Sequence, residues 1–181
     1  AFADEYLEKW SKVKKKPSSY DRDRLSINAH LKPYFGSEPI HVVTRKAIED
    51  YIAGRKDAGV SVATCNRELC CLKNMLRKAV DWECIEVNPA GGVKQEREYP
   101  KEANYLSREE VARLLNECDS RIRPFVEVAV NTGLRKGELY RLEWRDVDFG
   151  KGETGMITVR DAKNHETRYI PMNALVRQTL E

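Results

Sequence analysis

Apolar residues recur at spacings of three and four through most of the first half of the chain. This spacing places them on one side of a helix, so it predicts a series of amphipathic helices. The first predicted helix ends before Pro17, because proline cannot continue a helix. Its apolar face is predicted to consist of Phe2, Tyr6, Leu7, Trp10 and Val13.

The second predicted helix starts near Ser18 or Ser19, either of which can cap the first turn with its hydroxyl oxygen. Pro33 and Gly36 mark its end, since neither residue favours further helix. Its inward side is predicted to carry Tyr20, Ile27, Leu31 and Tyr34.

Two further helices complete the first half. Thr44 is predicted to cap the third helix and Gly59 to end it, and the fourth runs from Ser61 to about Trp82. The residues of the third helix predicted to face inward are Ile48, Tyr51 and Ile52. The apolar stripe of the fourth helix is predicted to consist of Leu69, Leu72, Leu76, Ala79 and Val80. Four such helices in succession predict a small four-helix bundle.

The second half mixes helical and strand patterns. Ser107 and Glu110 form a capping-box pattern ahead of one helix, and an apolar helix follows over residues 124–131. Residues 156–160 alternate in polarity and are predicted to pair with residues 169–171 as a β-hairpin. A last helix begins near residue 173, and we expect the chain to stop within this domain.

These patterns predict a mainly α protein in two parts. A helical bundle occupies residues 1–93, a charged linker residues 94–104, and a partial mixed α+β domain with a β-hairpin residues 105–181. No apolar run approaches the roughly 20 residues that a membrane span requires, so we expect an intracellular, cytoplasmic protein without a membrane partner.

Charge and cysteine content add little by themselves. The net charge is +3, and the excess of cations lies in residues 1–104, which is compatible with nucleic-acid binding but also with an ordinary solvated surface. The five cysteines show no CxxC spacing and the three histidines lie far from them, so no metal site is expected.

The segment 131–149 reads NTGLRKGELYRLEWRDVDF. It resembles the first active-site box of the tyrosine recombinases, or phage-type integrases, in which a Thr-Gly-Leu-Arg turn leads into a helix and then into Leu-x-Trp-x-Asp-Val-Asp. Residues 33–36, 61–69 and 88–89 resemble, more loosely, the SAM-like core-binding domain of the same enzymes.

The resemblance implies that Arg135 is the first catalytic arginine. Its guanidinium can donate two parallel hydrogen bonds to phosphate oxygens and stabilise the charge of a pentavalent transition state. Glu138 matches the acidic residue that holds the cations of the site in place. The ordinary alternative is that Arg135 and Glu138 form a common surface ion pair, since they lie three residues apart.

Residues 159–172, VRDAKNHETRYIPM, resemble the hairpin of the family, which carries a lysine at its turn. Lys163 matches that lysine, which acts as general acid toward the departing 5′ hydroxyl. His165 is assigned to solvent. Tyr140 and Tyr169 are not expected to be the nucleophile, because Tyr169 lies in the hairpin strand and Tyr140 two residues past Glu138 in the first box. The His-x-x-Arg box and late tyrosine of the family are absent from the sequence.

By resemblance, the protein performs site-specific DNA recombination or integration through a 3′-phosphotyrosine, without a cofactor. The resemblance implies double-stranded DNA as partner, a tetramer on DNA for the full-length enzyme, possible accessory DNA-bending proteins, and association with the nucleoid. Because the nucleophile is missing, we expect the chain alone to bind DNA without cleaving it.

The DNA contacts are predicted from cations and polar residues at helix ends, on outward helix faces and in the linker. The predicted phosphate contacts are Lys14, Lys15, Lys16, Ser18, Ser19, Lys73, Arg77, Lys78, Lys94 and Lys101. The predicted base contacts, on the second and fourth helices, are Arg22, Asn66, Arg67 and Asn74.

Two alternatives stay open at this point. The chain can belong to a DNA-binding regulator that kept a recombinase fold and lost the chemistry, or to a helical module that binds proteins. Retention of both Arg135 and Lys163 argues against a lost active site, because a pure DNA-binding protein gains little from them.

Overall fold

The computed structural model describes residues 2–36, 38–99, 102, 104–160 and 166–181. The chain separates into two units, Ala1–Lys101 and Glu102–Glu181, each with its own apolar core. The first unit is helical, and the second combines helices with a small antiparallel sheet. The prediction of a mainly α chain with a helical bundle and a mixed α+β part is confirmed.

Helix α1 is continuous but contains a π-helical turn. Its segments are Phe2–Tyr6 (α), Leu7–Ser11 (π) and Lys12–Lys14 (α). The wider π turn changes the angle between successive side chains. The buried face therefore passes through Tyr6, Leu7 and Ser11, whereas Val13 is 67% exposed. The prediction that Val13 faces inward is wrong.

Helix α2 contains a second π-helical turn. Its segments are Pro17–Ser26 (α), Ile27–Leu31 (π) and Lys32–Phe35 (α). The helix starts at Pro17 itself, whose fixed φ and missing N–H suit the first helical position. Lys16 is the N-cap residue and no side chain caps the helix, so the prediction that Ser18 or Ser19 does so is wrong.

The end of α2 also differs from its prediction. Pro33 lies within the last helical segment, and the helix ends at Gly36, whose φ of 68° is unfavourable for other residues. Ile27 and Leu31 are buried as expected. Tyr34 is instead half exposed, because the π turn shifts the helical phase and the next residue packs against the core in its place.

Helices α3 (Arg45–Asp57) and α4 (Val62–Asp81) begin where the sequence predicts. The hydroxyl of Thr44 accepts a hydrogen bond from the backbone N–H of Ala47, and that of Ser61 accepts one from Thr64. Gly59 follows α3 with a φ of 77°. The predicted cap at Thr44 and the left-handed glycine are confirmed, whereas Ser61, predicted as the first residue of its helix, is the N-cap residue.

The stripe of α4 supplies much of the core of the first unit. Leu69, Leu72, Leu76 and Ala79 are buried there, packed with Tyr6, Ile27, Leu31, Ile48 and Tyr51. Ala90 and Val93, which follow α4, close the same core. A short 3₁₀ turn, Ile40–Val42, connects α2 to α3.

Two carboxylates are buried in this bundle with partners. Glu68 accepts hydrogen bonds from Tyr51 Oη (2.7 Å) and from Arg55 Nε (2.9 Å) and Nη2 (2.6 Å). Burial favours the neutral acid, but the hydrogen bonds from Arg55 and Tyr51 outweigh burial and lower the pKa of Glu68. Asp23 is the other buried carboxylate, and it binds Lys15, Ser11 and Tyr6.

The second unit begins with two helices. Helix α5 (Arg108–Glu117) starts with the predicted capping box of Ser107 and Glu110, and α6 (Arg123–Thr132) has Pro124 in its first turn. A four-residue helix, α7 (Lys136–Leu139), and a 3₁₀ turn, Trp144–Asp146, follow. The last helix, α8 (Ala174–Leu180), is capped by Asn173.

Three short strands form an antiparallel sheet in the order β1-β2-β3. They are β1 (Val147–Asp148), β2 (Met156–Val159) and β3 (Arg168–Pro171). The predicted hairpin is β2–β3, with Val159 opposite Arg168 at its described end. Strand β1 was not predicted, because two residues are too few to show alternation. No helix among the described residues is both long and apolar enough to cross a membrane.

The pair between Arg55 and Glu68 predicts a large stability effect. Replacing Arg55 with Ala leaves a buried carboxylate without its cation, so we expect the free energy of unfolding to fall by about 3 kcal/mol. Chemical denaturation monitored by circular dichroism measures this change. The control is Lys46→Ala, which removes an exposed ion pair with Asp50 and should not change stability measurably. Equal stabilities of the two variants would contradict the prediction.

Candidate active site and nucleic-acid interface

Arg135 occupies the turn between α6 and α7. Helix α6 ends at Gly133, which has a φ of 63° and donates its N–H to the carbonyl of Ala129. The left-handed backbone strains any residue with a Cβ, which explains the glycine. Arg135 then adopts an extended conformation as the N-cap residue of α7.

Glu138 is the centre of the site. Its side chain is 4% exposed and accepts four hydrogen bonds. The backbone N–H and Nη1 of Arg135 both lie 2.9 Å from its oxygens. Arg168, in β3, donates from Nη1 at 2.9 Å and from Nη2 at 2.6 Å. One carboxylate thus orients two guanidinium groups.

Arg135 and Glu138 form an ion pair, but this pair uses only part of the hydrogen-bonding capacity of the guanidinium group. Only Nη1 of the Arg135 side chain contacts Glu138, and the side chain is 63% exposed. The other guanidinium N–H groups have no partner among the residues that the structure describes. A guanidinium held on one side and open on the other can bind a phosphate oxygen from solvent.

The electrostatics of Glu138 follow from these contacts. The hydrogen bonds from Arg168 lower the pKa of Glu138, burial opposes them, and the backbone N–H and guanidinium of Arg135 lower it further, to about 2. Glu138 is therefore a permanent anion near neutral pH. Two cations around one anion leave a net positive charge at this place.

A second buried carboxylate lies next to this site. Asp146, at the end of the 3₁₀ turn, has its Oδ1 2.7 Å from Nε of Arg160, which directly follows β2. The contact is an ion pair and not an aligned hydrogen bond, because that oxygen lacks a hydrogen-bond partner among the described residues. Lys163 and His165 lie outside the described residues, so the predictions for them stay predictions.

Most of the predicted DNA contacts in the first unit are exposed. Arg67 and Arg77 lie on an outward stripe of α4 together with the partly exposed Asn74. Arg22 lies on α2 and hydrogen-bonds the carbonyl of Ser18 and, through Nη2, the hydroxyl of Ser19. Other exposed members of the predicted set are Lys14, Lys16, Ser18 and Lys94. Lys101 lies outside the described residues.

Three of the predicted phosphate contacts are instead engaged within the bundle. Lys15 pairs with Asp23 at 2.5 Å, and Lys78 pairs with Asp81 at 2.6 Å. Lys73 donates to the carbonyl of Val93. Such cations are less available to phosphates, because DNA must displace an internal partner first.

Asn66 is the clearest departure from the expected exposure, because it is only 7% exposed. Its Nδ2 donates to the carbonyl of Glu96 and to the carboxylate of Glu98, each at 2.9 Å, and its Oδ1 accepts the N–H of Glu96 at 3.0 Å. The start of the predicted linker is therefore bound along α4. A base contact by Asn66 would require these bonds to break.

Sequence reasoning missed Arg168, Arg160 and Asp146 as parts of the site. The only sequence signal is position, since Arg160 and Arg168 flank the predicted hairpin turn on both sides. Nothing in the spacing relates either arginine to a carboxylate more than ten residues away. In the folded hairpin, Arg160 lies against Asp146 and Arg168 lies against Glu138.

The fold and site define a class: a helical bundle followed by a domain in which a turn bearing an arginine contacts a β-hairpin through a shared carboxylate. Residues 104–181 match the model of the phage integrase family, and residues 1–54 match the N-terminal SAM-like domain of phage integrases. Both matches are to phage integrases, and together they cover most of the chain; its relatives include integrases and tyrosine recombinases.

Individual relatives agree with this assignment. The integrase of the element ICEBs1 from Bacillus subtilis (strain 168) is 29% identical over 75% of this chain and 38% of its own length. The tyrosine recombinase XerC of Actinobacillus succinogenes is 26% identical over 83% of this chain and 52% of its own length. The chain thus spans about half or less of the length of these relatives.

Solved structures show the same fold. A lambda integrase tetramer bound to a Holliday junction superposes with a TM-score of 0.81 at 20% identity, covering 99% of this chain and 54% of that chain.

The contacts of Glu138 predict a pH-dependent stabilisation. The folded pKa lies below the ordinary value of 4.5, so the stabilisation is complete above about pH 4.5 and is lost as the pH falls toward 2. Glu138→Gln should lower the free energy of unfolding by at least about 1.5 kcal/mol at pH 7, the worth of one hydrogen bond to a charged group. Chemical denaturation of both proteins between pH 7 and pH 2 measures this difference in the free energy of unfolding. A difference that does not shrink on acidification would contradict the lowered pKa of Glu138.

Proposed function

We propose that this chain forms the DNA-binding domain and the first part of the catalytic domain of a site-specific recombinase. The observation that carries the proposal is Arg135, oriented by a buried carboxylate yet open to solvent, in a chain of the phage integrase family. A preorganised guanidinium stabilises the charge that develops on a phosphate in the transition state. The proposed nucleophile is a tyrosine other than Tyr140 and Tyr169.

The reaction is a transesterification. The tyrosine oxygen attacks the phosphorus and gives its proton to water, and the bond from phosphorus to the 5′ oxygen breaks. The product is a 3′-phosphotyrosine, and the departing 5′ oxygen takes a proton from Lys163. Because the phosphodiester energy is kept in the covalent intermediate, a second 5′ hydroxyl can attack it and join a new strand.

DNA binding by the first unit rests on its exposed cations. The partners that we propose are double-stranded DNA and further copies of the same protein, because the related lambda integrase has been solved as a dimer on a core site and as a tetramer on a Holliday junction. The bundle at residues 1–93 and the domain at residues 105–181 would contact the duplex, with the linker at 94–104 between them. A protein with this task works in the cytoplasm, at the nucleoid.

The exposed stripe of α4 predicts salt-sensitive binding. The affinity of the 181-residue chain for duplex DNA should fall steeply with salt, with a slope of about 0.9 log units per phosphate neutralised. Replacing Arg67 and Arg77 with Ala should weaken binding and reduce the slope, whereas Lys46→Ala, an exposed cation outside the predicted set, should change neither. Gel-shift titrations across a salt series test this, and a salt-independent affinity would refute the proposal.

The orientation of Arg135 predicts a catalytic effect without a binding effect. In the full-length recombinase, Arg135→Ala should slow cleavage of a nicked suicide duplex on the order of 100-fold or more, because one preorganised donor to the transition state is lost. DNA affinity should remain nearly unchanged. Cleavage at the wild-type rate would favour the alternative of a DNA-binding regulator that does not use this site.

A further inference from the structure

The start of the linker, residues 93–98, is docked on the helical bundle. Val93 is buried in the core of the first unit, and its carbonyl accepts a hydrogen bond from Lys73. Further along, the backbone of Glu96 binds the side chain of Asn66 in α4. The N–H of Glu96 donates to Oδ1 at 3.0 Å, and its carbonyl accepts from Nδ2 at 2.9 Å. One amide side chain thus supplies the pair of bonds that a neighbouring strand would supply.

Further contacts surround this pair of bonds. Glu98 accepts the second N–H of Asn66 at 2.9 Å, and Gln95 donates to the backbone carbonyl of Asn66 at 3.2 Å. Lys56 forms an ion pair of 2.6 Å with the carboxylate of Glu96. Both N–H groups and the oxygen of the Asn66 side chain are therefore bonded, which explains why this polar side chain can be buried.

These contacts separate the charges of the docked segment. The carboxylates of Glu96 and Glu98 both contact the bundle. Arg97, which lies between them, is exposed, and within the described part of the chain it contacts only the ring of Tyr99, 5.4 Å from the ring centroid. Stacking on a ring face leaves the N–H groups at the edge of a guanidinium free. The charge of Arg97 is therefore open to an anion from solvent.

Two other exposed cations flank the same place. Arg67 directly follows Asn66 in α4, and Lys94 lies in the docked segment. Neither has an ion-pair partner among the residues that the structure describes. DNA carries phosphates at regular short intervals, so a group of unpaired cations on one surface suits its backbone.

We propose that Arg97 is a phosphate contact of the DNA-binding surface and that Asn66 is the positioning residue that holds it there. This inference rests on the proposed function, since it adds a contact to the same DNA. An arginine on a free linker would lose conformational entropy when it bound a phosphate. The bonds of Asn66 order the backbone beside Arg97 beforehand, so Asn66 acts on DNA through the linker and not as a base contact.

The first experiment measures the docking in the 181-residue chain. Amide hydrogen exchange of Glu96 should be about 10-fold faster in Asn66→Ala, because its N–H loses the acceptor. The control is Asn74→Ala, on the same helix, which removes only a contact with the sulfur of Cys70 and should leave this exchange unchanged. Equal exchange of Glu96 in Asn66→Ala and the wild type would overturn the positioning role.

The second experiment measures the affinity of the chain for duplex DNA across a salt series. Arg97→Gln should weaken binding about 5-fold at about 0.1 M salt and lower the salt slope by about 0.9, the effect of one phosphate contact. Lys46→Gln also removes one exposed cation of the first unit and should change neither quantity.

A pair of variants at Glu96 separates position from charge. Glu96→Pro removes the N–H that Asn66 binds, whereas Glu96→Gln removes the same carboxylate and keeps the N–H. Glu96 is exposed, so both variants should fold. Added to Glu96→Gln, Arg97→Gln should still weaken binding about 5-fold. Added to Glu96→Pro, it should weaken binding by about 2-fold at most, because the released arginine is no longer held at the DNA.

Each other outcome removes a defined part of the proposal. An equal effect of Arg97→Gln in both Glu96 variants, or tighter DNA binding by Glu96→Pro than by Glu96→Gln, would exclude positioning by Asn66. Salt-dependent binding that Arg97→Gln leaves unchanged would exclude the phosphate contact while the proposed function stands. A wild-type chain without salt-dependent binding would exclude both the DNA-binding function and the contact.

Discussion

The burial of one carboxylate, that of Glu138, organises the second unit. A buried carboxylate requires donors, and here they come from the turn at Arg135 and from Arg168 in β3. The same bonds that stabilise the anion orient the guanidinium of Arg135 and attach the hairpin to the turn. Stability and the candidate chemistry therefore depend on the same few hydrogen bonds, which keeps Arg135 preorganised without filling all its donors.

Buried carboxylates also shape the first unit. Asp23 binds Lys15 and Glu68 binds Arg55, so cations that the sequence leaves available are engaged inside the bundle. The exposed cations of the first unit are therefore fewer than its total cation content suggests. They include Arg67 and Arg77 on the outward stripe of α4, and others lie at the exposed start of α2. Asn66, by contrast, binds the chain that leaves the bundle.

The accuracy of the sequence-based predictions depended on how local the responsible interactions are. Thr44 and Ser107 cap their helices as predicted, because a cap involves only the next three or four residues. The errors at Val13 and Tyr34 both follow π-helical turns, which shift the helical phase without a visible sequence signal. A uniform period of 3.6 residues cannot anticipate such a shift.

The sequence by itself determined the four-helix first half, the hairpin, the family and the place of Arg135 in its turn. Those conclusions rest on periodicity, turn residues and a contiguous motif. Only the tertiary structure decided that Arg168 and Arg135 both donate hydrogen bonds to Glu138 and that Arg160 faces Asp146. It also decided that Lys15 forms an ion pair with Asp23 inside the bundle. The physical reason is that ion pairing depends on distance in space and on burial, and neither quantity is written in the spacing of charged residues along a chain.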